Sequence, residues 1–166
     1  ILAAGFARVA PGTDFAVVRY EADGSLDATF AANGVALIPI GLSNDVARAV
    51  ARQPDGQIVV AGQAYDGAKD AIAVARLTAS GALDTTFGAG GKVVTALGTT
   101  YDRAHAVAIQ PDGKIVVAGV SNSGYPFAAA LVDHIARVVA DALDTARQND
   151  MAVIDEGRIG ARELEQ

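Results

Sequence analysis

The chain has 166 residues, 51% of them apolar and 5% aromatic, and it contains no tryptophan and no cysteine. The lack of cysteine excludes disulfides, thiolate metal sites and a cysteine nucleophile. Because 13 basic residues face 19 acidic ones and no run of Lys or Arg occurs, nucleic acid is excluded as a partner, and no apolar run approaches the roughly 18 residues of a membrane span.

A repeat of 57 positions organises the sequence. Residues 1–67 align with 58–124 without a gap. A fixed period of this length is typical of stacked or closed repeat arrays. The recurring segments are Ile1–Gly5, Ile58–Gly62 and Ile115–Gly119, Gly24–Phe30 and Gly81–Phe87, and Gln53–Gly56 and Gln110–Gly113.

Each repeat reads as four short strands separated by turns. The first strand alternates small or apolar with polar residues and ends at a Pro-Asp-Gly turn, in which we expect Gly56 and Gly113 to adopt positive φ. The second is apolar throughout, so we expect it to be covered on both faces. Third and fourth strands follow Gly-bearing loops. In chain order the predicted strands are Asp14–Glu21, Val35–Ile40, Val46–Gln53, Ile58–Gly62, Ala71–Leu77, Lys92–Leu97, Ala104–Gln110 and Ile115–Gly119.

The fold class predicted from this pattern is mainly β, with tandem four-stranded, propeller-like blades of 57 residues. After Gly124 the repeat pattern weakens, and apolar residues spaced three and four apart predict an α-helix over Phe127–Gln148. We therefore divide the chain into a β-repeat region, 1–124, and a C-terminal helical segment, 125–166. A degenerate third repeat is the alternative for this tail, because Ala142–Thr145 echoes Ala82–Thr85.

Two segments carry a resemblance to a known family. Asp112–Gly119 and Gly24–Phe30 resemble the delta-60 repeat of large bacterial proteins, and the resemblance covers residues 1 to about 124. It implies β-propeller-like domains in a repetitive protein that is often secreted or at the cell surface, and it brings no catalytic residue. Since Ile1 lies within a recurring motif, we expect the chain to be a piece of a longer protein.

Ser121 is the one candidate nucleophile. The segment Gly119–Ser123 fits the small-x-Ser-x-small pattern of a nucleophile elbow, placed after an apolar strand and before the predicted helix. Against this interpretation, the equivalent strand Ile58–Gly62 is followed by no serine, and the only later histidine, His134, falls inside the predicted helix. A serine hydrolase using Ser121 stays as the alternative function.

The remaining candidates concern metals. His105 occupies the position of Arg48 in the previous copy, which favours a solvent-facing side chain, and it makes no recognisable zinc set with His134. Glu21, Asp23 and Asp27 suggest a calcium loop, but only Asp27 has an acidic counterpart, Asp84. We expect Asp27 and Asp84 to accept backbone hydrogen bonds and hold their turns, and we expect no metal or cofactor.

The sequence thus predicts a noncatalytic β-repeat scaffold or binding module, with a protein or a glycan as its partner. Two units and a remnant are too few to close a propeller, which usually has about four to eight blades. Open sheet ends need a cover. The candidates are the rest of a longer chain, a second copy in a homo-oligomer, or the C-terminal helix.

Overall fold

The computed structural model describes residues 1–97, 100–121 and 126–131, the last range as backbone only. These residues form ten β-strands and contain no helix, so no helix among them is long and apolar enough to cross a membrane. The strands are β1 Leu2–Val9, β2 Gly12–Arg19, β3 Val35–Ile38, β4 Val46–Arg52, β5 Ile58–Tyr65, β6 Asp70–Leu77, β7 Lys92–Thr95, β8 Asp102–Ile109, β9 Ile115–Ser121 and β10 Pro126–Leu131.

The strands make three antiparallel sheets, one for each repeat. Unit 2 is complete, with the order β4-β5-β6-β7; unit 1 has β1-β2-β3 and unit 3 has β8, β9 and β10. The register repeats from one unit to the next: Ala47 faces Gly62 in unit 2 as Ala104 faces Gly119 in unit 3. The predicted four-stranded repeat is confirmed, with strand ends shifted by a few residues.

The Pro-Asp-Gly turn joins the first two strands of units 2 and 3 as predicted. Gly56 has φ of 93° and Gly113 has φ of 85°, a left-handed backbone that glycine adopts without a steric penalty. The Gly56 N–H donates to the Gln53 carbonyl at 3.0 Å, and the Asp55 carboxylate accepts the Gln57 N–H at 3.0 Å. The turn therefore closes on its own backbone and side-chain bonds.

The two central strands of unit 2, β5 and β6, are buried on both faces. Along β5 every residue from Ile58 to Ala64 is buried, and alternate side chains enter different cores. Val60 packs with Phe15 and Phe30 of unit 1, whereas Val59 packs with Val117 of unit 3. The prediction that the second strand is covered on both faces is confirmed for β5, whereas in β9 Val116 and Ala118 are only half-buried.

Each core contains the phenylalanine that ends the Leu-Asp-x-Thr-Phe motif. Phe30 lies in the core between units 1 and 2, and Phe87 in the core between units 2 and 3, both fully buried. Burial of one such side chain contributes about 1.5–3 kcal/mol. The repeat motif therefore supplies one large anchor to each interface between units.

The tail departs from the predicted helix at its start. Pro126–Leu131 is strand β10, paired antiparallel with β9 as β6 pairs with β5, so the prediction that a helix begins at Phe127 is wrong. The Ala-rich segment fits either periodicity, and pairing with β9 satisfies its backbone groups. The remainder of the predicted helix, 132–148, and the predicted boundary at 124/125 lie outside the described residues.

Candidate functional site: polar clusters at the two ends of the units

The motif Leu-Asp-x-Thr-Phe builds the same charged cluster in units 1 and 2. In unit 1, Arg19 Nε donates to Asp27 Oδ2 at 2.6 Å, and the Thr29 N–H donates to Asp27 Oδ1 at 2.9 Å. The guanidinium carbon of Arg19 lies 4.6 Å from the centre of the Phe30 ring, within the range of a cation–π contact. The predicted role of Asp27 in holding its turn is confirmed.

Unit 2 repeats this geometry closely. Arg76 Nε donates to Asp84 Oδ2 at 2.9 Å, the Thr86 N–H donates to Asp84 Oδ1 at 3.1 Å, and Arg76 lies 4.6 Å from the Phe87 ring centre. Hydrogen bonds from Thr86, together with the charge of Arg76, hold the pKa of Asp84 below its ordinary value of 3.8. Hydrogen bonds from Thr29 and then Arg19 lower the pKa of Asp27 in the same way.

The cluster also joins one unit to the next. Arg19 Nη1 donates to the Ala79 carbonyl of unit 2 at 2.6 Å, and the Ala31 N–H donates to the Ser80 carbonyl at 2.8 Å.

Asp23, which the sequence suggested as a calcium ligand, instead accepts hydrogen bonds from Ser25 N at 2.9 Å and Ser25 Oγ at 2.7 Å. No group of three metal-binding side chains is assembled within 1–97, 100–121 and 126–131.

A different network occupies the opposite end of the interface between units 2 and 3. Arg48 Nε and Nη2 donate to Gln63 Oε1 at 3.0 and 2.9 Å, and Gln63 Nε2 donates to Asp70 Oδ2 at 2.8 Å. Arg103 of unit 3 reaches the same Asp70 oxygen at 3.0 Å, while its guanidinium carbon lies 4.8 Å from the Tyr101 ring centre. The chain of bonds fixes four polar side chains across two units.

The alignment of the repeats does not reveal this network, because its residues lie at positions where the copies carry different residue types. Positions 57 residues before Gln63, Asp70 and Arg103 carry Phe6, Thr13 and Val46, so the earlier copy has no amide, carboxylate or guanidinium group there. The simultaneous change from Phe, Thr and Val to Gln, Asp and Arg at three aligned positions is a signal in the sequence. It becomes readable once the strand register brings the three positions together.

A buried aspartate recurs at the start of the first strand in units 2 and 3. Asp45 accepts the N–H groups of Ile40 and Gly41 at 2.8 and 2.9 Å, and Asp102 accepts the Leu97 N–H at 2.7 Å. Each carboxylate therefore fixes the loop that leads into the first strand of its unit. Burial, and then the charge of Asp45, raise the pKa of Asp14 above its ordinary value of 3.8.

The matched segments of a protein-family model follow these structural units. The model described as "Domain of unknown function (DUF5122) beta-propeller" matches residues 1–30, 53–87 and 110–138. The chain belongs to this family. The first two matches end at Phe30 and Phe87, which anchor the two cores, and the second and third begin at the Gln of the Pro-Asp-Gly turns. A search of curated proteins found no match.

Within this DUF5122 propeller repeat, Ser121 belongs to the antiparallel pair of β8 and β9. It is the last residue of β9, only 7% exposed, and pairs with Asp102 of β8. The next described element is strand β10 rather than the helix an elbow leads into. Its Oγ has no hydrogen-bond partner among the described residues, and its counterpart in unit 2 is the buried Ala64.

Of the two histidines, the structure describes His105 alone. His105 is exposed on β8, at the residue that bulges out of the pairing with β9, as Arg48 does on β4. The prediction that His105 faces solvent is confirmed. His134 lies outside the described residues.

Proposed function

We propose that this chain is a noncatalytic β-repeat scaffold or binding module, carried in a larger surface or secreted bacterial protein of the delta-60 repeat kind. The observation that carries this proposal is the burial of the central strands of unit 2 on both faces, because stacked units form an extended surface rather than an enclosed cavity. The resemblance of Gly24–Phe30 and Asp112–Gly119 to delta-60 repeats supports the assignment to a surface or secreted bacterial protein.

The surface we assign to binding is the end of units 2 and 3 that carries the Arg48 network. Arg48 and His105 are exposed on neighbouring first strands, and Tyr101 is 39% exposed beside Arg103. Fixed hydrogen-bonding groups next to a partly exposed aromatic ring suit the hydroxyl groups of a glycan or the backbone of a protein loop. The partner is therefore a protein or a glycan.

The proposal includes completion of the array by further units, from a longer chain or from a second copy in a homo-oligomer. Ala3 and Val18, on the outer face of unit 1, occupy the positions of Val60 and Ala75, which are buried between units 1 and 2. The same face is thus covered in unit 2 and uncovered in unit 1. A neighbouring unit of the same kind fits it.

The binding surface is tested with glycan and peptide arrays, using two arginine variants. Arg48→Ala removes the exposed end of the network, whereas Arg8→Ala removes an equally charged, exposed side chain on β1. We expect the first to weaken retention of any array hit by about tenfold or more and the second to leave it unchanged. Equal retention by both variants contradicts the assigned surface.

A separate assay tests the noncatalytic character. We expect no turnover of a panel of simple aryl and alkyl esters by the wild-type chain or by Ser121→Ala. Turnover that Ser121→Ala abolishes, while its urea midpoint stays at the wild-type value, overturns the proposal in favour of a serine hydrolase.

A further inference from the structure

Arg48 carries a positive charge that no carboxylate neutralises among the described residues. Its Nε and Nη2 groups donate to Gln63 Oε1, an uncharged amide oxygen, at 3.0 and 2.9 Å. Within the described ranges no hydrogen bond or ion pair reaches its Nη1 group. Because Arg48 is exposed and Gln63 is buried, a fixed amide orients the guanidinium and leaves Nη1 available to a ligand.

The second arginine of the network is already paired. Arg103 Nη2 lies 3.0 Å from Asp70 Oδ2, and the same carboxylate oxygen accepts Gln63 Nε2 at 2.8 Å. Two guanidinium groups therefore share one carboxylate, which leaves a net positive charge here in a chain whose formal net charge is −6. Backbone N–H groups of adjacent loops bond the neighbouring carboxylates of Asp45, Asp66 and Asp102.

Exposed apolar side chains flank the network. Leu42 is 73% exposed, and its N–H donates to the Tyr65 carbonyl at 2.9 Å, at the end of β5 that carries the network. In the next unit Leu97 is 54% exposed, and its N–H donates at 2.7 Å to Asp102, the chain neighbour of Arg103. Both leucines therefore lie on loops at the end of the units where the unneutralised charge is found.

The charge and the leucines favour one class of ligand. A carboxylate balances the single unneutralised guanidinium, whereas a phosphate carries about −1.5 to −2 and its surplus charge would be repelled by Asp70. Sugar hydroxyl groups placed against leucine side chains would lose water without gaining a hydrogen bond. An acidic peptide segment with apolar neighbours therefore fits better than a phosphopeptide or a glycan.

We propose that the Arg48 end of units 2 and 3 binds a segment of a partner protein in which an acidic residue lies between apolar ones. This inference rests on the proposed binding function and narrows the partner from a protein or a glycan to an acidic, apolar peptide. The peptide carboxylate accepts Arg48 Nη1, a charge-assisted bond about twice as strong as a neutral one. The apolar side chains of the peptide cover Leu42 and Leu97.

The test measures binding of labelled peptides to the full chain by fluorescence anisotropy. The probes are Leu-Glu-Leu-Glu-Leu, a neutral analogue with glutamine for glutamate, and a polar analogue with serine for leucine. We expect the first to bind at least about tenfold more tightly than either analogue, with an affinity that falls as salt is added. Equal affinity for the acidic and neutral peptides, or no saturable binding of the acidic one, overturns the proposal.

Arginine variants of β4 locate the site. Arg48→Gln removes the unneutralised charge, so the acidic and neutral peptides should bind it equally. Arg52→Gln is the matched control, because Arg52 is an exposed arginine at the other end of the same strand, and it should keep the preference. Arg48→Glu should reverse the preference toward a peptide with lysine for glutamate, which a loss of structure would not produce. A preference that changes equally in the two glutamine variants contradicts the assigned site.

A titration with trigalacturonate distinguishes an acidic glycan from an acidic peptide. Saturable binding of this sugar that Arg48→Gln weakens, without binding of the acidic peptide, assigns the surface to an acidic glycan and overturns the proposal. Such a failure leaves the proposed binding function standing, because an array ligand without a carboxylate can also depend on Arg48. Failure of that function is seen separately, in the array comparison and in the ester assay.

Discussion

Two glycines of the same repeat unit meet different physical demands. Gly113 needs its left-handed φ of 85° but has no neighbour within 4 Å of an added Cβ, whereas Gly119 has no positive φ but lies against the Arg103 carbonyl. The first demand is conformational and the second is steric. Substitution at the two positions therefore destabilises the fold for different reasons.

The turn assignment predicts a definite cost for Gly113→Ala. Forcing a residue with a Cβ into the left-handed region costs about 1 kcal/mol, so we expect the free energy of unfolding to fall by about that amount in urea denaturation. Gly5→Ala, without positive φ and without a neighbour, serves as the control and should cost nothing. A Gly113→Ala midpoint equal to that of the wild type is incompatible with the observed turn.

The contributions of Asp84 and Asp14 to folding stability should depend on pH with opposite signs. The folded-state pKa of Asp84 is lowered, so its stabilising contribution is present above about pH 3.8 and is lost as the pH falls through the folded-state pKa. Asp84→Asn should lower the urea midpoint at about pH 7, and the difference from wild type should shrink below about pH 3.8.

Asp14→Asn is the comparison variant, for which we expect the opposite change in stability at neutral pH. The folded-state pKa of Asp14 is raised, so its ionised form is disfavoured in the fold above that pKa, and the penalty disappears as the pH falls below 3.8. Asp14→Asn should therefore raise stability at about pH 7, by less than about 1 kcal/mol for this partly exposed group. Two variants that shift in the same direction at neutral pH would refute the assigned environments.

At the scale of strands, the sequence contained most of the information needed for units 1 and 2. The Pro-Asp-Gly turns, the apolar runs such as Ile58–Gly62 and the 57-residue alignment predicted strand order because they are local signals repeated in register. β10 was missed since Phe127–Leu131 is too short and too rich in alanine for its periodicity to separate strand from helix. Pairing with β9, a nonlocal interaction, decides the outcome.

The sequence predicted the polar sites formed by local hydrogen bonds and missed the one formed between units. The turn-holding roles of Asp27 and Asp84 were predicted because the hydrogen bonds they accept from Thr29 and Thr86 reach only two residues along the chain. The network from Arg48 to Arg103 was not, because its bonds span 15 and 33 positions and cross between units. Hydrogen bonds within a turn can be predicted from a motif, whereas hydrogen bonds between units require the register of the stacked sheets.

At the scale of the whole chain, each unit relies on its neighbours for burial. The hydrophobic residues of β5 and β6 divide between two cores, one shared with unit 1 and the other with unit 3. A single four-stranded sheet with both faces apolar would expose large apolar surfaces to water. Stability should therefore depend on contacts between neighbouring units, as in other repeat proteins.

The most direct test of this stacking compares Val59→Asp with Val116→Asp in chemical denaturation at low protein concentration. The two valines are 57 positions apart; Val59 is fully buried against unit 3, whereas Val116 is half-buried. Burying an unpaired carboxylate costs more than about 3 kcal/mol, so we expect Val59→Asp to unfold the chain or lower its stability by at least that amount, with a much smaller loss for Val116→Asp. Equal losses for the two variants would contradict face-to-face stacking of the units.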